Sequence, residues 1–421
     1  MNLIKTSFLT GISTIIKIIT GFIVNKIVAV YIGPAGIALV GQFQNFASII
    51  MTFANGAINS GITKYTAEYF DDKEKKARML STALLISVIC SLIVSVFLIL
   101  CHRQLSGYLL KTEKYSSIFL IFGFTLIVYS LNNFCMSILN GHKEIRKYIA
   151  VNIVSSIVGL VFTGGLVVFL GLYGALLSLV TAQTVIFIVT ILFVINSEWF
   201  EVNNFMQGYD KESLIKLGKY SLMAITSALT VPVSQILIRN YISDTISIDA
   251  AGYWQGVWRI SDVYLMIITT SLSVYYLPRL SEIKHKNELR KELFSGFKIL
   301  LPIVAVLAVF IWLVKVPIIH ILFTDKFMPM ENLFLFQLIG DFLKIASWVL
   351  GFLMVAKAMT RWFVFTEIVF SLSFVLLSMF FVDKFGLVGV TQAFALNYFL
   401  CLLFMIWLFR DLLLGKKVKN E

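Results

Sequence analysis

Residues 148–195 read YIAVNIVSSIVGLVFTGGLVVFLGLYGALLSLVTAQTVIFIVTILFVI and hold no charged side chain. A bilayer-spanning helix needs about 20 apolar residues, so this run is long enough for two crossings. It divides into spans at 148–170 and 174–196, with Gly171-Leu172-Tyr173 between them. Outward from here the pattern repeats. Apolar segments lie at 4–32, 36–69, 79–101, 116–140, 148–170, 174–196, 213–242, 251–281, 292–314, 331–356, 362–382 and 386–409. Of 421 residues 59% are apolar and 14% charged, with a mean hydropathy of +0.89. Those values exclude a soluble globular domain and a disordered chain. The expected fold is an all-α polytopic membrane protein with twelve transmembrane helices. Leu3 to Ile32 is too long for a signal-peptide core and has no small-residue cleavage pattern, so it reads as a retained first span.

Cys90, Cys101, Cys135 and Cys401 are scattered, and His102, His142, His285 and His320 share no ligand spacing. Neither a metal site nor a disulfide framework is expected. No GxxxxGK[ST] loop is present, so no ATPase chemistry is expected, and no cofactor is implied.

Charge sets the orientation. With the N-terminus inside, the cytoplasmic segments carry 22 of the 35 Lys and Arg and the opposite side carries 6. The positive-inside rule then places both termini in the cytoplasm. The net charge of +12 follows from this bias and from contact with anionic lipid heads. No basic soluble module supports a nucleic-acid partner.

The chain also repeats itself. Leu3-Ile4-Lys5 recurs as Leu214-Ile215-Lys216, and Ser60 and Tyr65 as Ser271 and Tyr276. At a constant offset, Arg146, Ile153, Val154, Ser156, Gly171, Leu172 and Gly174 return as Arg361, Ile368, Val369, Ser371, Gly386, Leu387 and Gly389. Six spans per half give both halves the same orientation. Residues 1–205 and 206–421 are therefore expected to form two six-helix bundles in a parallel repeat, with a solute site in a central cationic cavity between them.

Seven basic side chains fall within the apolar segments: Lys17, Lys26, Lys64, Arg239, Arg259, Lys298 and Lys344. A cation in hydrocarbon costs about 2.5–3.5 kcal/mol on insertion scales, so it faces water, a partner or a nearby interface. Lys26, Lys64 and Lys298 are near span ends and can snorkel to the head groups. Lys17 sits mid-span without an acidic neighbour on its own helix and reads as a cavity residue.

Polar stripes accompany these cations. At 100° per residue, Gln42, Asn45, Thr52, Gly56, Asn59, Ser60 and Thr63 fall within about 60° of Asn45. Such a stripe lines a cavity or packs helices through small and amide side chains. The eighth span carries Gln255, Arg259, Asp262, Thr270 and Ser273 along one face, with Tyr276 nearby. The tenth carries Gln337, Asp341 and Lys344. Arg259–Asp262 and Asp341–Lys344 are each three residues apart, a spacing that suits either a locked ion pair or a transport role. Asp341 is the leading carboxylate for ion coupling. Pro232, close to Gln235 and Arg239, is expected to kink the seventh span.

At these residues the chain resembles the Wzx flippases of bacterial lipid-linked oligosaccharides, most nearly the WzxE type. The matching segments are Gly33-Pro-Ala-Gly36, the run Thr63-Lys-Tyr-Thr-Ala-Glu-Tyr69, Trp254-Gln-Gly-Val-Trp-Arg-Ile-Ser-Asp262, Tyr275-Tyr-Leu-Pro-Arg-Leu280, and Lys326-Phe327 through Lys344. The family often has an uncharged residue where Glu68 sits here. The resemblance implies the twelve-span fold of the multidrug/oligosaccharidyl-lipid/polysaccharide (MOP) exporters. It also implies an inner-membrane carrier, not an enzyme, for undecaprenyl-diphosphate-linked glycans such as O-antigen repeat units, working beside glycan polymerase and chain-length proteins.

On that reading Lys17, Arg239, Arg259 and Lys344 would neutralise phosphate. Asn45, Asn59, Gln255, Trp258 and Tyr276 would bind sugar hydroxyls and ring faces. Asp262, Asp341 and Glu68 are the coupling candidates. A multidrug antiporter of the same fold would want an acid-rich cavity. A glycan polymerase would want a large outer loop or a catalytic carboxylate cluster.

Overall fold

The computed structural model describes residues 3–142, 144–197 and 199–414. Among them there is no strand. The α-helices are α1 (Leu3–Ala54), α2 (Asn59–Glu68), α3 (Lys73–Leu100), α4 (His102–Leu110), α5 (Ser116–Gly141), α6 (Ile145–Ile195), α7 (Lys211–Thr245), α8 (Ile248–Ser271), α9 (Leu277–Glu282), α10 (Lys286–Leu313), α11 (Lys315–Leu322), α12 (Phe334–Ala356), α13 (Thr360–Phe385), α14 (Val388–Leu408) and α15 (Arg410–Leu413).

Among the described residues eight helices are long and apolar enough to cross a membrane. Two of these, α1 with 52 residues and α6 with 51, run to nearly 80 Å, more than twice the hydrocarbon thickness of about 30 Å. Each breaks once at a glycine with positive φ, Gly33 (φ 65°) in α1 and Gly171 (φ 56°) in α6, and so supplies two spans. α7 and α8, at 35 and 24 residues, add two spans, the first carrying Gln235 and Arg239 and the second Gln255 and Arg259. The result is the twelve-span multi-pass membrane protein expected from the apolar periodicity. Exposed Phe169, Val161 and Leu100 belong to the apolar outer surface that lipid would cover.

The repeat has a backbone counterpart. Gly171 (φ 56°, ψ −132°) and Gly386 (φ 62°, ψ −148°) adopt the same conformation, which favours glycine, at matching places in the two halves. Three residues on, a Cβ added to Gly174 would lie 1.9 Å from the carbonyl oxygen of Leu166. At Gly389 it would lie 2.1 Å from that of Phe381. The same close return of one helix past another is thus built twice, each time through glycine. A second echo joins α3–α4 and α10–α11. Each is a long span followed by a short helix and then a 3₁₀ segment, Glu113–Tyr115 or Asp325–Leu333.

Packing divides the chain at Pro232, inside α7, into Met1–Pro232 and Val233–Glu421. α7 stays helical through Pro232. In the first unit Phe43, Phe46, Phe119 and Phe122 interlock between α1 and α5, with ring centroids 5.4–6.4 Å apart. The connection after α6 is tied down on the same unit. Ser81 Oγ donates to Gly208 O (2.9 Å), Asp210 N donates to Thr82 Oγ1 (2.9 Å), and Trp199 stacks on His142 at 4.9 Å. In the second unit Leu272, Tyr276, Leu280, Ile345 and Val349 belong to one core cluster.

Two spans differ from the expected continuous helices. The segment 36–69 is interrupted at 55–58. Gly56 (φ 61°) ends α1 in a Schellman arrangement, with Gly56 N donating to Phe53 O (2.9 Å) and Ala57 N to Thr52 O (3.0 Å). The polar stripe from Gln42 to Thr63 is therefore not one face: Asn45 and Thr52 belong to α1, and Asn59 and Thr63 to α2. The segment 251–281 passes into a π-helical turn over Leu272–Tyr276 before α9, and the extra residue per turn shifts the register beyond Ser271.

Candidate functional site

α12 places Asp341 and Lys344 one turn apart, and the second unit builds two different environments for them. Asp341 is 0% exposed. Its Oδ2 accepts from Ser261 Oγ at 2.6 Å and from the Tyr264 hydroxyl at 2.8 Å, both on α8. Its Oδ1 accepts from Gln337 Nε2 at 3.3 Å, one turn back on α12. A buried carboxylate persists only where its lone pairs are met, and three donors meet these.

Lys344 is half-buried and held among rings. Its Nζ lies 4.9 Å from the Trp348 centroid, 5.6 Å from Trp258 and 6.0 Å from Tyr398. The i,i+3 spacings do not close into ion pairs. Among the described residues neither Asp341–Lys344 nor Arg259–Asp262 comes within 4.0 Å. Lys344 nevertheless acts electrostatically on both carboxylates, and Arg259 on Asp262. Asp262 is exposed and Arg259 half-buried. Two carboxylates and two cations are therefore gathered in one unit, with the buried acid satisfied by neutral donors and the nearer cation resting on aromatic faces.

The other candidate residues sit as follows. Arg239 is only 2% exposed. Its guanidinium donates to the Gln255 side-chain carbonyl and lies 5.7 Å from the Trp254 ring. Trp258 is 7% exposed and already engaged, stacked near Phe374 (6.3 Å) and edge-on to Trp254 (5.6 Å) and Phe394 (5.2 Å). Tyr276 is a core residue, its ring close against Gly296. Thr270 and Ser273 turn their hydroxyls back onto Met266 O and Thr269 O of their own turns.

In the first unit Lys17 is exposed on the first half of α1, Asn45 is half-buried on the second, and Asn59 opens α2. Glu68, at the exposed end of α2, faces Lys64 at 3.9 Å. Thr63 donates to Ser137 O (3.1 Å) and ties α2 to α5.

The residues not singled out from the sequence are Ser261, Tyr264, Trp348 and Tyr398. Ser261 and Tyr264 share a helix face at i,i+3, and Trp348 is one turn beyond Lys344, so the local spacing was visible. Tyr398 arrives from α14 and leaves no local signal.

Comparison with known proteins gives this arrangement a context. The family described as polysaccharide biosynthesis protein matches residues 3–284. The chain is 30% identical over 415 residues to the lipid III flippase of Escherichia coli strain K12, covering 97% of this chain and 99% of that protein. An inward-facing multidrug resistance MATE transporter of the MOP superfamily superposes with a TM-score of 0.80 at 14% identity, covering 95% of this chain and 96% of that one. The lipid II flippase MurJ in an inward closed conformation gives 0.73 at 15% identity, with 99% and 94% covered. The fold is that of the MOP transporters.

Proposed function

As the chain belongs to the polysaccharide biosynthesis protein family, we propose that it is a flippase for a lipid-linked glycan, carrying an undecaprenyl-diphosphate-linked oligosaccharide across a bacterial inner membrane. The observation that carries this reading is the end-to-end similarity to a lipid III flippase. The cargo is an O-antigen repeat unit or a similar surface glycan, moved from the cytoplasmic to the periplasmic leaflet. The termini lie in the cytoplasm, as the 22-to-6 distribution of basic residues favours. Glycan polymerase and chain-length proteins act downstream.

The chemistry suits this cargo. A diphosphate and its sugars cannot cross hydrocarbon, while the polyprenyl tail need not leave it. Lys344 and Arg259 supply charge for the diphosphate, and Lys17 and Arg239 add to it from their own helices. Asn45, Asn59 and Gln255 offer amides to hydroxyls. Asp341 is the ion-coupling group, with Asp262 beside it. Residues 1–205 and 206–421 act as the two rocking halves of an alternating-access cycle.

The test is reconstitution in liposomes with a fluorescent undecaprenyl-diphosphate sugar, scoring transfer between leaflets for the wild type, Arg259→Ala and Lys344→Gln. Transfer by the wild type that both variants lose supports the proposal. Absence of transfer, with efflux of a cationic dye in its place, refutes it in favour of a drug antiporter.

A further inference from the structure

Lys344 and its rings differ from an ordinary buried ion pair. A lysine in a membrane helix is normally paired or snorkels to the head groups. Here the obvious partner, Asp341, is occupied by Ser261, Tyr264 and Gln337, and the ammonium rests instead on Trp258, Trp348 and Tyr398. A cation–π contact is worth about 0.5–2 kcal/mol and leaves the ammonium's N–H donors without an acceptor, whereas a phosphate oxygen supplies charge-assisted hydrogen bonds that can form while part of the ring contact is kept. An incoming phosphate can therefore engage the ammonium without breaking a structural ion pair.

The three rings are not equivalent. Trp258 is buried and flanked by Phe374, Phe394 and Trp254. Tyr398 is edge-on to Phe394 at 4.9 Å. Trp348 is half-buried, has no ring neighbour among the described residues, and carries the shortest contact to Lys344. It also lies one turn from Lys344 on α12, so ring and ammonium move as one rigid element.

We propose that Lys344 and Trp348 form a composite subsite, the ammonium holding a phosphate of the lipid diphosphate and the half-buried indole stacking on the first sugar beside it. Trp348 is then a specificity-determining residue. It separates a glycosylated lipid from the bare lipid diphosphate, a distinction that charge alone cannot make. The indole suits this role because it presents a large rigid apolar face to the C–H side of a pyranose at little entropic cost. The subsite rests on the flippase reading.

The experiment uses the full chain in nanodiscs and two probes, undecaprenyl diphosphate and the same lipid bearing one N-acetylhexosamine. Equilibrium binding is measured for the wild type, Trp348→Ala, Trp348→Phe and Lys344→Gln. Loss of a ring contact of about 1.4 kcal/mol lowers the preference for the glycosylated lipid about tenfold in Trp348→Ala. Trp348→Phe retains most of the preference, which also shows that the altered site is folded. Lys344→Gln weakens both probes together. An unchanged preference in Trp348→Ala overturns the subsite. Wild-type protein that binds neither lipid overturns the flippase reading and the subsite with it. The two failures are distinguishable, because the first appears only in a variant.

Discussion

Replacing Asp341 separates the shape of its site from its charge. In Asp341→Ala the hydroxyls of Ser261 and Tyr264 and the amide of Gln337 lose their common acceptor where solvent does not reach. Each orphaned donor costs about 1–3 kcal/mol, and even at the low end the sum is about 3 kcal/mol. Asp341→Asn has a different outcome. The Asn oxygen can accept from Ser261 and Tyr264, and its amino group then faces Gln337. Gln337 Oε1 is buried and without a partner in the native arrangement, so a flip of the Gln337 amide turns the new N–H into a donor to a waiting acceptor. Asn is therefore expected within about 1 kcal/mol of wild type, a hydrogen bond's net worth.

Thermal unfolding of the purified chain in one detergent should rank wild type and Asp341→Asn together, with Asp341→Ala well below. In a Gln337→Leu background the Asn variant should lose its tolerance, giving a coupling of about 1 kcal/mol in the double-mutant cycle. Equal melting of Asp341→Ala and Asp341→Asn would refute the three-donor account. Leaflet transfer by the Asn variant then reports on the charge alone, because stability is held nearly constant.

Further outcomes are expected elsewhere. Gly389→Ala and Gly174→Ala each drive a methyl into a backbone carbonyl, at 2.1 and 1.9 Å, and should destabilise by about 3 kcal/mol or more, read as loss of folded yield and a lower Tm. Burial, reinforced by Lys76, pushes the His142 imidazole down to about 4 from its ordinary 6.5. Its stabilising contribution is thus complete above about pH 6.5 and is lost as pH falls toward 4, so a His142→Phe variant should show a flatter loss of stability over that window in denaturation at graded pH. Ser247 accepts from Ala250 N at 3.0 Å as the N-cap of α8, and Ser247→Ala should lower stability by about 1 kcal/mol in the same melting assay. Glu68→Gln should leave stability in the same melting assay unchanged to within about 0.5 kcal/mol, because its 3.9 Å pair with Lys64 is exposed.

Much of this architecture was legible in the chain. The charge-free run at 148–195 marked two crossings, and the constant offset paired Gly171 with Gly386; that both positions are breaks with positive φ came from the backbone. The break at Gly56 was also signalled, by Asn55-Gly56, but the apolar residues on both sides matched one helical period and masked it. The π turn at Leu272–Tyr276 had no such marker. One extra residue in a turn leaves composition untouched and moves every later side chain by about 100°. Tyr276, expected near the polar face, follows that shift and lies in the core.

The spans, their number and their repeat follow from the sequence alone, because bilayer thickness and backbone satisfaction act on local runs of residues. The candidate site does not. The spacing of Asp341 and Lys344 guaranteed a shared helix face but not what each would touch. Ser261 and Tyr264 lie about 80 residues from Asp341 in the chain, and Tyr398 about 50 from Lys344, on helices whose side chains meet only after packing. Tertiary structure decided that the acid would be satisfied by hydroxyls and an amide and the lysine by rings. In a low-dielectric interior each charge takes whatever donors or ring faces the neighbouring helices bring within reach.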